Sequence, residues 1–426
     1  MSARSLIPLL VSLSLAACGQ PDAVAPPANP DGSDGSDGSD GGEVGDVSYY
    51  ADVEPILQQH CVRCHQADGL GPGDFTDPAI VDALAPAMLG AIDAGRMPPP
   101  VSDPDCHDYL GSEHLNLPAA SRDVFAAWVD QDQPMGDPAD APEPVIIETE
   151  LIAPDVVLSM PEPYAPTFED PANPGNEYRC FAVDPGEASG KYITAMAPVL
   201  GAASLVHHIV LFSVPADDLS PEELDPQGFD CIDGMGGSSI DGMIAAWAPG
   251  MLPLELPEGM GIEIPEGRVL VMQMHYFANG IEGGTVPDQS AYAFDLTDAA
   301  SPAFVAPIGT YSFAIPAGDG AYTNGGSFRN TYLPLRAVGT FPHMHELGSS
   351  YEMKVIREDG TETCLARGDY DFNNQLTYQW PEPVTFDVGD TLEFSCTWDN
   401  SDGDSTVRFG ERTDEEMCYF FTIVGP

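Results

Sequence analysis

The sequence predicts a multidomain protein, with a small all-α domain followed by two all-β sandwich domains. Three observations predict it. At 426 residues the chain exceeds one ordinary domain and has room for about two to four. Its 42 prolines and 43 glycines favour short strands and turns over long helices. From residue 148 onward the pattern becomes short apolar runs between Pro/Gly turns, among them YITAMAPV, LVHHIVLFSV, RVLVMQMHYF, YEMKVI and VTFDVGDTLEFSCTW. That periodicity fits antiparallel sandwiches rather than βαβ units. Hydrophobic residues make up 43% of the chain, enough for real cores.

Lys and Arg number 14 against 68 Asp and Glu, a formal net charge of −54. A surface this acidic repels phosphate backbones and excludes nucleic acid as a partner. Residues 1–18 read as an export signal, with Arg4 as the positive n-region and Leu6 to Leu15 as the apolar h-region. The segment is too short to span a bilayer as a mature helix. Leu15-Ala16-Ala17-Cys18 resembles the lipobox of bacterial lipoproteins, which implies cleavage before Cys18 and lipidation of its thiol. Gly19, in place of the Asp associated with inner-membrane retention, points to the outer membrane or cell surface, on its periplasmic side or beyond. The membrane is then touched through the lipid anchor only. Residues 19–47, with PDAVAPPANP and DGSDGSDGSDGG, cannot bury enough apolar area to fold and read as a disordered tether. Such a tether reaches roughly 30 Å on average.

Residues 48–133 contain Cys61-Val-Arg-Cys64-His65, a C-x-x-C-H pattern for covalent haem attachment. On a helix these three positions share a face, so two thioether bonds clamp haem c while His65 ligates the iron. The segment resembles a small cytochrome c domain. In that family a downstream Met before prolines supplies the second axial ligand, which here is Met97 in GRMPPP. Met88 in LAPAMLGAI reads instead as helix packing. Ser121 is expected to cap a closing helix, SRDVFAAWVDQ, whose Phe125, Trp128 and Val129 share one face. His60, His107 and His114 read as solvent-facing or structural. Met/His ligation raises the haem potential and suits electron transfer. Pro- and acid-rich residues 134–147 form a linker.

In LRAVGTFPHMHELG, His343 and His345 stand two apart, and strand residues two apart face the same side. Both imidazoles can therefore reach one metal ion. Further ligand types are His207–His208 in SLVHHIVLF, His275 in VLVMQMHYFANG and Met417 in RTDEEMCYF. Two imidazoles with a thioether suit reduced copper, and three imidazoles suit copper in either state.

The segments EYRCFAVDP, VHHIVLF, AAWAPG with LPEGMGIEIP, MQMHY, PHMHELG and DEEMC occur in one order. In that order they resemble the copper type II, ascorbate-dependent monooxygenases, a family that includes peptidylglycine α-hydroxylating monooxygenase and dopamine β-monooxygenase. The resemblance runs from about Tyr178 to the C-terminus. It implies two jelly-roll domains, residues 148–284 and 285–426, with one copper in each, facing across a solvent cleft. Carried over, His207, His208 and His275 hold the first copper, which stores and delivers an electron. His343, His345 and Met417 hold the second, where O2 binds and a substrate C–H bond is hydroxylated. Two electrons and two protons complete the turnover, with water as co-product. Adjacent His207 and His208 point to opposite faces of a regular strand, so sharing one copper requires a local twist or bulge.

The resemblance also favours the disulfides Cys180–Cys231 and Cys396–Cys418, in keeping with an oxidising compartment. Cys106 and Cys364 either pair across domains or stay as free thiols. Where the peptidylglycine enzymes place an Arg, an Asn and a Tyr to recognise the substrate's carboxylate, this chain has Phe341, Tyr419 and Phe421. A carboxylate buried there would lack its cation, which is costly, so a small apolar or aromatic substrate fits better. The fused haem domain offers electrons that supplement or replace ascorbate or a separate redox protein. The alternative reading is a surface electron-transfer or copper-binding lipoprotein without hydroxylase activity.

Overall fold

The computed structural model describes residues 45–426, apart from 68, 170–174, 232–241, 279–285, 411 and 413. The expected export signal, the lipidation site Cys18 and most of the tether lie outside the described residues. The described chain is mostly β-sheet with few helices. The helices are α1 (Glu54–His60), α2 (Pro78–Asp93), α3 (Ser112–Leu115) and α4 (Ala119–Asp130).

Asp77 caps α2 by accepting from Ala79 N at 2.9 Å, with Pro78 in the first turn where its missing N–H costs nothing. The expected cap at Ser121 is not found. α4 starts earlier, at Ala119, behind an extended Pro118 with no side-chain cap, and Ser121 sits inside the first turn. Proline fixes its own φ, so the chain enters the helix directly after it. Phe125 and Trp128 are buried as expected. With Tyr49, Val53, Leu57, Phe75, Val81 and Ala85 they form an apolar core separate from that of the sheets. The Trp128 indole donates to Pro134 O at 3.1 Å, which draws the start of the 134–147 segment back onto the helices.

In chain order the first strands are β1 (Val156–Ser159), β2 (Asn176–Val183), β3 (Tyr192–Val199), β4 (Val206–Pro215), β5 (Phe229–Asp230) and β6 (Met243–Trp247). Next come β7 (Leu254–Glu255), β8 (Met260–Glu263), β9 (Arg268–Phe277), β10 (Ala291–Thr297) and β11 (Ser301–Gly309). Then follow β12 (Ala314–Ile315), β13 (Tyr322–Arg329), β14 (Leu335–His343), β15 (Gly348–Ile356) and β16 (Glu362–Asp369). The last are β17 (Tyr378–Phe386), β18 (Thr391–Trp398), β19 (Val407–Arg408) and β20 (Tyr419–Gly425).

One sheet has the order β5-β2-β9-β4-β6 and another β13-β18-β15-β16, with β12 and β19 as a small pair. The longest runs β1-β10-β3-β8-β11-β20-β14-β17, with β7 beside β3. It passes through both halves of the β region without a break in hydrogen bonding. β10, beyond the expected division at residue 285, pairs with β1 and β3 of the first half. β11 then joins β8 in parallel and β20 antiparallel. Phe181, Leu211 and Phe294 of the first half share one apolar core with Met353, Trp398 and Phe420 of the second.

Residues 97–110 leave the helices and run along the second half of the β region. Asp103 N donates to Arg367 O at 2.7 Å, and Leu110 N to Gln379 O at 2.8 Å. The Asp103 carboxylate pairs with the Arg367 guanidinium at 2.7 Å. Cys106 and Cys364, left open by the sequence, form a disulfide across 258 residues of chain. Cys180–Cys231 and Cys396–Cys418 are the other two disulfides.

Candidate active site

Strands β4 and β9 build the first cluster. They pair antiparallel with His208 opposite His275, and the register shifts between Val206 and His208. That irregularity frees His207 from strand alternation, and all three imidazoles turn inward. His208 Nδ1 lies 3.2 Å from His207 Nδ1 and 3.3 Å from His275 Nδ1. One ligand atom from each residue lies within 4.8 Å of the others. His275 Nε2–H donates to Asn176 Oδ1 at 2.8 Å, which leaves the lone pair on Nδ1. Tyr178, opposite His275 on β2, stacks on its ring at 4.2 Å and 6°.

Burial lowers the basicity of all three imidazoles, strongly for His208 and His275, and the neighbouring rings lower those two further. They are therefore neutral donors near pH 7. Three nitrogens converging on one point, with the tautomer of one ring fixed from behind, fit a copper ion.

The second cluster sits where β14 ends. His343 is its last residue, so His345 lies beyond the strand rather than on it. The two rings are still 5.2 Å apart, at 79°. His343 Nδ1–H donates to Gln375 Oε1 at 2.7 Å, and His345 Nδ1–H to Glu415 O at 3.0 Å. The Gln375 amide is itself oriented, because its Nε2 donates to Phe372 O at 2.8 Å. Both imidazoles thus keep a lone pair on Nε2. Burial pushes His343 down to about 3, with His345 adding to the effect.

β20 pairs with β14 so that Tyr419 lies opposite His343, which brings Met417 to this end of the sheet. Met417 is buried in an apolar cluster with Phe341, Tyr419 and Phe421. The Phe341 and Phe421 rings lie 5.8 and 6.0 Å from that of His343. This donor set, two imidazoles with a thioether close by, also fits copper.

Three supporting residues escaped the sequence reading. Asn176 and Gln375 carry no signal in sequence. Glu416 stands inside the DEEMC segment, yet a carboxylate draws no attention in so acidic a chain. Its buried carboxylate accepts from His345 N at 2.9 Å, Leu347 N at 2.7 Å, Trp398 Nε1 at 2.9 Å and Met417 N at 3.2 Å. Burial pushes Glu416 up to about 7, against the pull of these donors. The 370–375 loop reaches both clusters. Gln375 holds His343, while the Asn373 backbone and the Asp371 carboxylate lie beside His207.

In the helical region Cys61 and Cys64 form no disulfide. α1 ends at His60, but His65 N donates to Cys61 O at 3.0 Å, so Cys61, Cys64 and His65 share one further helical turn. His65 Nδ1–H donates to Pro72 O at 2.8 Å, leaving Nε2 as a donor atom, and the ring stacks on Phe75 at 4.2 Å. A Cβ on Gly71 would come within 2.7 Å of this ring, so the approach requires glycine. Met97 is 39% exposed. His60 and His107 contact backbone carbonyls of His114 and Cys364 and are structural.

Comparison with known proteins gives two matches to one family. Residues 164–280 match the N-terminal domain of the copper type II ascorbate-dependent monooxygenases. Residues 315–424 match the C-terminal domain of the same family. No match is found among curated proteins. Among solved structures, the cowpea mosaic virus top component is 7% identical over 59% of this chain and 78% of its own, with a TM-score of 0.21. The infectious bursal disease virus VP2 subviral particle is 13% identical over 66% and 74%, with a TM-score of 0.18. Likenesses this weak carry no argument. The two family matches together cover more than half of the chain and enclose both histidine clusters. The chain therefore belongs to the copper type II ascorbate-dependent monooxygenases, and copper is its metal.

Proposed function

We propose that the chain hydroxylates a C–H bond of a small apolar or aromatic substrate with O2, drawing electrons from a haem c in its own helical domain. The observation that carries this reading is the aromatic wall of Phe341, Tyr419 and Phe421 around Met417 and His343. In this assignment His343, His345 and Met417 hold the copper at which substrate is oxidised, and His207, His208 and His275 hold the other. Copper bound there supplies one-electron redox chemistry and O2 activation.

The protein's own contribution is placement. Asn176, Gln375 and the Glu415 carbonyl each take one imidazole N–H, so the remaining nitrogen is a lone-pair donor. The aromatic residues exclude water and disfavour a carboxylate, while leaving an apolar C–H bond undisturbed.

Haem c fits residues 48–133. The Cys61 and Cys64 thiols form no disulfide, and the His65 tautomer is set by Pro72 O so that Nε2 is the donor. Met97 is the proposed second axial ligand. The β region is read as two jelly-roll domains, residues 148–284 and 285–426. Three disulfides support export. Among the described residues no helix is long and apolar enough to cross a membrane. Cys18 is the proposed lipid anchor at the outer membrane, and ascorbate or a redox protein is the external donor.

The test starts with copper and haem iron per chain, in a soluble form lacking Cys18, followed by O2 uptake with alkylbenzenes. The expected result is two coppers per haem and substrate-dependent uptake. Met417→Ala should lower that uptake roughly a hundredfold or more, since it removes the soft ligand of the reacting metal. Uptake undiminished in Met417→Ala would refute the assignment.

A further inference from the structure

We propose that Tyr178 is the port through which the helical domain reduces the three-histidine site. The inference rests on the haem reading above and adds where the electron enters.

A cavity of about 660 Å³ is lined both by the segment around Met97 and by residues that touch the first cluster. Gly95, Arg96, Met97 and Pro100 of the helical domain line it, as do Asn176 and Tyr178 of β2. The same two β2 residues support the first cluster. Asn176 accepts the Nε2–H of His275, and the Tyr178 ring lies parallel to the His275 ring at 4.2 Å. Tyr178 therefore lines the cavity that Met97 also lines, and its ring stacks on a candidate copper ligand.

The facing walls are fixed relative to each other. The Cys106–Cys364 disulfide, the Asp103–Arg367 ion pair and the Asp103 N bond to Arg367 O at 2.7 Å hold the Met97–Cys106 segment on the β region. Transfer takes place across this fixed cavity and needs no swinging of the helical domain. One electron moves per event. With haem and copper bound, ferrous iron would become ferric and cupric ion cuprous, with no bond made or broken and no proton transferred. Tyr178 acts as a conducting ring and a positioning residue, so its hydroxyl is not needed. A rival route leaves Pro100 through Asn374 and the Asn373 backbone toward His207. It lacks a ring stacked on a candidate ligand.

The test uses the full copper- and haem-loaded chain, anaerobic, with the haem reduced and both coppers cupric. Reoxidation of the haem is followed by stopped-flow absorbance. Tyr178→Phe and Asn374→Ala should stay within twofold of the unmutated rate, and Tyr178→Leu should slow it at least tenfold with copper and haem content unchanged. If Tyr178→Leu loses copper, Tyr178→Met, also without a ring but unbranched and more adaptable in packing, carries the same comparison. A Tyr178→Leu rate equal to the unmutated rate, or slowing confined to Asn374→Ala, overturns Tyr178 as the port and leaves the haem reading intact. A chain without haem, or haem that the coppers never reoxidise in the unmutated protein, overturns both.

Discussion

Glu416 shows what a single residue does here that its type does not announce. It lies between an acid and a methionine in the sequence, but in space its carboxylate gathers four N–H groups, two of them on His345 and Met417 themselves. The carboxylate thus ties two candidate ligands to the Trp398 indole and to the turn after His345. Removing it leaves four buried donors without their acceptor, which costs about 3 kcal/mol. Glu416→Ala should lower stability by that amount in urea denaturation and weaken the copper of the second site 10- to 100-fold, the usual effect of losing a ligand's support. Glu416→Gln, which keeps one oxygen, should fall between. Unchanged copper affinity in a chelator competition with Glu416→Ala would remove Glu416 from the site. The candidate histidines stood out in sequence because few residue types bind copper and theirs recur in an ordered set of segments. Glu416 was not, because it is one of 68 acids.

At the scale of elements, legibility followed the strength of the local signal. RVLVMQMHYF and YITAMAPV coincide with β9 and β3, since apolar runs bounded by turn residues leave little choice of boundary. The bulge at His207 was inferred from a conflict, two adjacent ligands on one alternating strand, and the register shift lies there. The helix start at Ala119 and the strand end at His343 were missed. Each depends on a backbone feature that residue type signals weakly, the extended Pro118 and the exit of the chain toward Glu415. The Cys106–Cys364 bond was undecidable because its partners stand 258 residues apart. It joins the 97–110 segment to β16, while α1, α2 and α4 have a core of their own. Cys106→Ser with Cys364→Ser should therefore cost about 2–4 kcal/mol and uncouple the melting of the helices from that of the sheets. Calorimetry should resolve two transitions in the variant and one in the parent. A single transition at the parent's temperature would mean that the surrounding hydrogen bonds suffice.

For the molecule as a whole the governing quantity is charge. With 14 cations against 68 acids, most carboxylates have no cation to pair with, and the chain carries a field that reaches well beyond contact distance at low salt. Two acids, Glu346 and Asp371, line the cavity beside Tyr178 against one cation, Arg96, so the negative field extends there. Ascorbate is an anion at neutral pH, so the family's usual donor approaches this protein against repulsion. The proposed haem donor, held by the same chain, would meet no such barrier. The two routes should therefore respond oppositely to salt. Raising ionic strength from 0.01 to 0.15 M shortens the Debye length from about 30 to about 8 Å. Reduction of cupric sites by ascorbate should then accelerate roughly three- to tenfold, the reverse of the slowing seen when attraction steers a partner. Transfer from haem to copper within one chain should stay constant over the same range. Both rates are read in the anaerobic stopped-flow experiment, the first on a Cys61→Ser, Cys64→Ser variant that cannot hold haem. An ascorbate rate that is flat or falls with salt would show that the acidic surface does not guard the copper sites, and the case for an internal donor would lose its electrostatic support.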